Sequence, residues 1–217
     1  GSALAAGLAA FGGLAAWAAQ PPQVETVSSA APARTAGASP LPALRAERGE
    51  KASRYLGRRL VAALDRADHE AAVELIEAGA DVNHFTPGEG TPLIQAIRHD
   101  DIGAARRLIA NGADVNQRAP GEGSALIVAA KQQKLQFVEL LVEAGADVNG
   151  FVLGDETPLI NASRSSDLRI VRYLVERGAD PSLAVPTGNF PGQMRSPLSV
   201  SQDPAVTAYL RSRGARR

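Results

Sequence analysis

Gly79-Ala80-Asp81-Val82-Asn83 returns as Gly112-Ala113-Asp114-Val115-Asn116, as Gly145-Ala146-Asp147-Val148-Asn149 and, shortened, as Gly178-Ala179-Asp180. Each copy begins 33 residues after the one before. A second phrase keeps the same step: Thr91-Pro92-Leu93-Ile94, Ser124-Ala125-Leu126-Ile127 and Thr157-Pro158-Leu159-Ile160. Self-similarity at a fixed period of this size is the mark of stacked structural repeats.

One unit, His84 to Asn116, can be read residue by residue. Thr91 caps a helix and Pro92 suits its first position. Leu93, Ile94, Ala96 and Ile97 supply an apolar stripe, and this helix ends near Asp100. A second helix is expected from Ile102 to Ala110, with Ala105, Leu108 and Ile109 turned inward. Gly112 ends it, because a left-handed residue is cheapest without a Cβ. Pro120-Gly121-Glu122-Gly123 then turns the chain toward the next helix. Such short helix pairs are unstable alone, so stacking must bury their apolar faces. Three columns are predicted: Leu75, Leu108, Leu141 and Leu174; Ile76, Ile109, Val142 and Val175; Ala72, Ala105, Val138 and Val171.

This unit resembles the ankyrin repeat, with its Thr-Pro-Leu-His start and Gly-Ala-Asp-Val-Asn end. The resemblance covers about residues 55–215. It implies an all-α repeat solenoid of helix-turn-helix units with hairpin-like fingers, divided at about 54–83, 84–116, 117–149, 150–182 and 183–217. The end units depart most. The first lacks a Thr-Pro start, and its first helix is expected from Leu60 to Arg66. In the last, Ser196-Pro197 comes 39 residues after Thr157, so the finger around Phe190-Pro191-Gly192 holds a six-residue insertion. Its second helix is expected to start at Asp203-Pro204 and stop at Arg213-Gly214. The family's His is replaced by Ile94, Ile127 and Ile160, and its Gly between the helices by Asp100, Gln133 and Ser166.

Residues 1–24 carry no charge, and 3–19 are almost wholly Ala, Leu, Gly, Phe and Trp. This apolar segment reads as the core of a signal peptide, as a transmembrane end with Trp17 at the interface, or as low-complexity filler. The first two readings favour a membrane-anchored or exported, periplasmic protein; the third leaves a cytoplasmic scaffold. The first residue is Gly rather than Met, so a processed or partial chain is expected. Residues 20–53 begin Pro-, Ala- and Ser-rich and read as a disordered linker, with charges gathering from 45 onward where helix can begin.

The chain of 217 residues has 23 Lys+Arg against 23 Asp+Glu and no Cys. A nucleic-acid partner would demand a basic excess, so none is expected. Disulfide and thiolate chemistry are excluded. His69-Glu70 lacks the second histidine of a zinc motif, since position 73 is Val; His84 and His99 stand alone. Gly88-Glu89-Gly90 and Gly121-Glu122-Gly123 suggest phosphate loops but recur at the finger turn, which explains them. Glu89, Glu122 and Asp155 recur once per unit, about 10 Å apart by the spacing of packed helices, too far for paired acid–base work. No enzyme activity, cofactor or metal is expected within these residues.

In the ankyrin family, partners dock on a concave face made of finger tips and the exposed side of each first helix. The resemblance therefore implies a non-catalytic protein–protein interaction module, expected to be monomeric, with a protein partner that no motif identifies. By position, the first helices offer Arg98 and His99, Lys131 and Gln132, Arg164 and Ser165; the fingers offer Phe85, Arg118 and Phe151, rimmed by Glu89, Glu122 and Asp155. Aromatics and Arg are the usual anchors of such faces. The plainer alternative is that the charges solvate the surface and neutralise one another, while the aromatics pack on a neighbouring finger. Arg211, Arg213, Arg216 and Arg217 suit the C-terminal end of a helix. The Ala/Arg-rich composition and the Pro-Gly-Glu-Gly fingers also resemble bacterial arrays appended to membrane metallopeptidases of the beta-lactam-sensor type. That resemblance implies an alternative: a regulatory or sensing C-terminal arm whose catalytic zinc site lies upstream.

Overall fold

The computed structural model describes residues 49–187 and 192–216. The apolar segment, most of the Pro-rich stretch, Phe190-Pro191 and Arg217 lie outside the described residues. Helix α1 spans Glu50–Asp65 and α2 His69–Glu77; then come α3 Pro92–Arg98, α4 Ile102–Ala110, α5 Ala125–Lys131, α6 Leu135–Glu143, α7 Pro158–Arg164 and α8 Leu168–Glu176. A two-stranded hairpin follows, β1 Val185–Pro186 with β2 Met194–Arg195, before α9 Pro197–Val200 and α10 Pro204–Ser212. The first helices stack in one layer, α1 on α3, α5, α7 and α9 in turn; the second helices stack in another, α2 through α10. An all-α repeat solenoid is thus the architecture, with the one short sheet confined to a finger.

Each first helix starts as its sequence demands. The Thr91, Ser124, Thr157 and Ser196 hydroxyls accept from the amides three residues on, at 3.3, 3.4, 3.1 and 3.2 Å. The second helices are capped by Asp68, Asp101, Asp167 and Asp203. Lys134 is the exception. It caps nothing; its ammonium reaches back to the Ile97 carbonyl, to that of Arg98 at 3.1 Å and to Asp100 at 3.4 Å, closing the preceding first helix instead.

The repeated Gly-Ala-Asp-Val-Asn phrase does three jobs. Gly112, at φ +87°, turns the chain out of α4, and the amides of Gly112 and Ala113 close on Ile109 and Leu108. Asp114 then accepts from the Asn116 amide at 2.9 Å, folding the exit into an Asx turn. The asparagine bridges repeats: Asn83 donates to the Gly112 carbonyl at 3.1 Å and accepts from the Asp114 amide at 2.7 Å. Asn116 does the same to Gly145 and Asp147, and Asn149 to Gly178 and Asp180. Serines end the ladder, Ser53 on the Gly79 carbonyl and Ser182 on that of Gly214, both at 3.1 Å.

Two predicted columns are buried throughout, those of Leu75 and of Ala72; in the Ile76 column, Ile109, Val142 and Val175 are only half-buried. The missing inter-helix glycines leave the turn unchanged: Asp100, Gln133 and Ser166 adopt φ near +59°, as does Ala67 at +52°. An L residue in that conformation costs about 1–2 kcal/mol.

The first helix differs from expectation. It begins at Glu50, ten residues before Leu60 and inside the stretch read as linker. Leu56 supplies the reason: it is buried against the core one turn ahead of Leu60, and at Gly57 an added Cβ would lie 2.6 Å from that of His84. In the last unit α10 runs from Pro204 on an Asp203 cap and stops at Gly214, φ +91°.

Candidate functional site

The fingers are short hairpin turns closed by backbone bridges, Thr86 to Gly90, Ala119 to Gly123 and Val152 to Glu156; the last is widened into β1 and β2. The first helices contribute little open surface beside them. From Pro92 to Ile97, Ala125 to Ala130 and Pro158 to Ser163 every residue is buried, including Gln95 and Asn161. Those two amides donate to the Glu89 and Asp155 carbonyls, each at 2.6 Å, and so hold their own fingers. Only the helix ends emerge: Arg98 and His99, Lys131 and Gln132, Arg164 and Ser165.

Among these residues the structure brings opposite charges together. Arg98 pairs with Glu122 of the next finger and donates to the Glu89 carbonyl at 2.9 Å. Lys131 acts on Asp155 of the following finger. Burial raises the Asp155 carboxyl above its ordinary range; Lys131 pulls it down, while Glu122 and Glu156 push it up. Arg164 has no acidic tip ahead, because Met194 holds that position, and it turns to Glu156 at 2.5 Å. His99 lies 3.6 Å from Asp65, and the Ser165 hydroxyl donates to the Asn161 carbonyl at 2.9 Å. Gln132 is exposed.

Glu156 is the unusual member. It stands where the earlier fingers have Gly90 and Gly123, at φ +64° and 2 % exposure. At Gly123 an added Cβ would sit 3.1 Å from Ile127, so the position is tight for any side chain. The Glu156 carboxylate is met by Arg164 and, at 2.7 Å, by Arg195 of the last finger. Arg195 occupies the same repeat position one unit on, so the two substitutions at the glycine form a charge pair between successive fingers.

The aromatics part company. Phe85 is half-buried and packed on the core, so it is not an exposed anchor. Phe151 is 37 % exposed, and with Arg118 it lines a groove of about 290 Å³ between the fingers at 117–124 and 150–157, together with Asn116, Asp147 and Val152. Arg118 makes no ion pair or hydrogen bond among the described residues, unlike Arg98, Arg164 and Arg195. Leu153 at 65 % and Met194 at 53 % are the two most exposed large apolar side chains described, on successive fingers. Both hold positions that are polar or Pro in the earlier fingers, and that break in the repeat was the signal available for them.

The remaining histidines are explained locally: His69 bonds Asp101 at 2.5 Å and His84 lies 3.9 Å from Asp81. Among the described residues no group of three or more His, Cys, Asp or Glu is placed to hold a metal, and no helix is long and apolar enough to cross a membrane.

Stacked helix pairs joined by hairpin fingers define a repeat solenoid, a class of protein that offers an extended contact surface. Family models place the chain within it: the ankyrin repeat model matches residues 90–120, and the model of ankyrin repeats in three copies matches residues 118–184. Residues 90–184 of this chain thus carry ankyrin repeats. No curated protein matches it in sequence. Ankyrin repeats are generally protein–protein interaction modules and are typically non-catalytic.

Proposed function

We propose that the array binds a protein partner through the face formed by its finger tips and first-helix ends, with the contact centred on the last two fingers. The observation that carries this reading is the company kept by Arg118: an unpaired guanidinium beside Phe151, followed by exposed Leu153 and Met194. Exposed apolar side chains with an adjacent arginine are what binding anchors are made of. At the first fingers, in contrast, Arg98 pairs with Glu122 and donates to the Glu89 carbonyl, so these contacts serve the array's own stacking and contribute steering at most.

Affinity capture with the full chain tests this. The Phe151→Ala/Leu153→Ala/Met194→Ala variant is expected to lose a captured partner by about tenfold or more while melting within a few degrees of the wild type. Phe85→Ala is expected to lower the melting temperature and spare capture. Undiminished capture by the triple variant rejects the finger face.

A further inference from the structure

The groove between the fingers at 117–124 and 150–157 opens where one side chain of the repeat is missing. The residue that follows each ladder asparagine is His84, Gln117 or Gly150. In the two earlier units that residue reaches polar groups of the Asx turn or of the unit before. His84 lies 3.9 Å from the Asp81 carboxylate, and the Gln117 side-chain amide donates to the Asn83 carbonyl at 2.9 Å. Gly150 has no side chain to do either. Among the described residues no group donates to the Asn116 carbonyl, the counterpart of the Asn83 carbonyl. The Asp147 carboxylate accepts from the Asn149 amide on Oδ1; its Oδ2 has no partner among the described residues and would lie 3.3 Å from a Cβ added to Gly150, at the edge of the gap. Arg118, exposed and unpaired, lines the same groove beside Phe151.

These groups define what fits. They are two acceptors, the Asn116 carbonyl and Asp147 Oδ2, and one donor, the Arg118 guanidinium. Asp147 and Arg118 carry opposite charges, so a carboxylate meets repulsion from the first and an ammonium from the second. A primary amide is neutral and offers two N–H donors and one carbonyl acceptor. The methylene stem that carries it suits the Phe151 ring. We infer that the groove receives a glutamine side chain of the protein partner, which supplies the contact that Gln117 makes within the chain one unit earlier. A site built of acceptors discriminates against an analogue that cannot donate, so glutamate is disfavoured at this place in the partner. Recognition of this kind rests on the finger face being the docking face; the groove adds the identity of one residue that the face reads.

The test is selection from a random peptide library displayed on phage, with the full chain as bait, followed by titration of the selected peptide. Peptides that share one glutamine are expected, and changing that glutamine to glutamate should weaken binding about tenfold or more. Gly150→Gln lets the chain fill its own groove. His84 and Gln117 hold side chains at that repeat position, so this variant should melt no lower than the wild type, and it should weaken the peptide about tenfold or more. Arg118→Ala leaves the gap at Gly150 open and should weaken the peptide by a similar factor. A selected set without a shared glutamine overturns the inference, as does binding that survives Gly150→Gln or that favours the glutamate peptide. Leu153→Ala/Met194→Ala separates the groove from the face. Binding lost in that double variant but kept in Gly150→Gln overturns the groove and leaves the finger face standing; binding kept in both rejects the face as well.

Discussion

Gly90 and Gly123 close the first two fingers with no side chain at all, whereas the last two carry Glu156 and Arg195 there, a buried carboxylate paired with a partly exposed guanidinium. The tips differ in the same direction. Glu122 pairs with Arg98, which also donates to the Glu89 carbonyl; Met194, at that tip position in the last finger, and Leu153, where the earlier fingers have Pro87 and Pro120, are exposed instead. One scaffold therefore treats the same repeat positions in two ways. Where the fingers hold only backbone, their charges knit neighbouring repeats together. Where a side chain takes over closure, apolar side chains, Leu153 and Met194, stand exposed on the fingers. The helices beneath do not share this asymmetry: Leu108, Leu141 and Leu174 are equally buried.

The largest expected effect checks that last statement. Leu108→Ala and Leu174→Ala should each cost about 2–5 kcal/mol in denaturant melts, and the two losses should agree to within about 1 kcal/mol. A much smaller loss at Leu174 would mean that the fourth repeat is loosened along with its finger. The next effect lies in the finger itself. Glu156→Ala keeps the left-handed backbone and removes both arginine contacts; because the arginine side chains are 44 % and 40 % exposed and regain water, the cost should be about 1–2 kcal/mol. Glu156→Gly restores the residue of the earlier fingers and should recover about 1 kcal/mol of it. Equal stability of the Ala and Gly variants would remove backbone strain from the comparison.

The smallest effect is one of pH. Asp155 has a folded-state carboxyl raised above 3.8, so its contribution is favourable only where it is protonated and is lost as pH rises through the folded value. Asp155→Asn should therefore gain stability over wild type as pH climbs from about 4, with no gain below. Asp167 behaves oppositely: burial pushes it up, but hydrogen bonds from the Arg169 side chain and from the Arg169 and Ile170 amides outweigh this and hold it low. Its contribution is present above its ordinary value of 3.8 and is lost as pH falls through the folded value, so Asp167→Asn should destabilise at neutral pH and not in strong acid. Melts of the two variants across pH that shift in the same direction would contradict both assignments.

Local chemistry was legible in the sequence, and cross-repeat chemistry was not. Thr91-Pro92 and Gly112 announce a helix start and a helix end because caps act within four residues. Nothing within four residues explains Asn83, whose partners lie 29 and 31 positions away. The same limit hid the long start of α1, whose Leu56 finds its core only after stacking, and the half-burial of Phe85. At the candidate site Arg118 and Phe151 were visible as members of a row. Leu153, Met194 and Glu156 each read in the sequence as a lapse from the repeat, and their meaning lies in the exposure or pairing that the lapse creates.

The asparagine ladder has a consequence for how such an array changes length. The side-chain amide of each of Asn83, Asn116 and Asn149 gives and takes its hydrogen bonds with main chain alone. A whole unit duplicated or deleted between any two of them presents the next unit with the same pair of groups, so recombination within the gene keeps every joint in register. Ser53 and Ser182 make one such bond each, in the outgoing direction. The ladder thus marks which units are interchangeable cassettes and which are fixed endpieces, and growth by copying is confined to the interior.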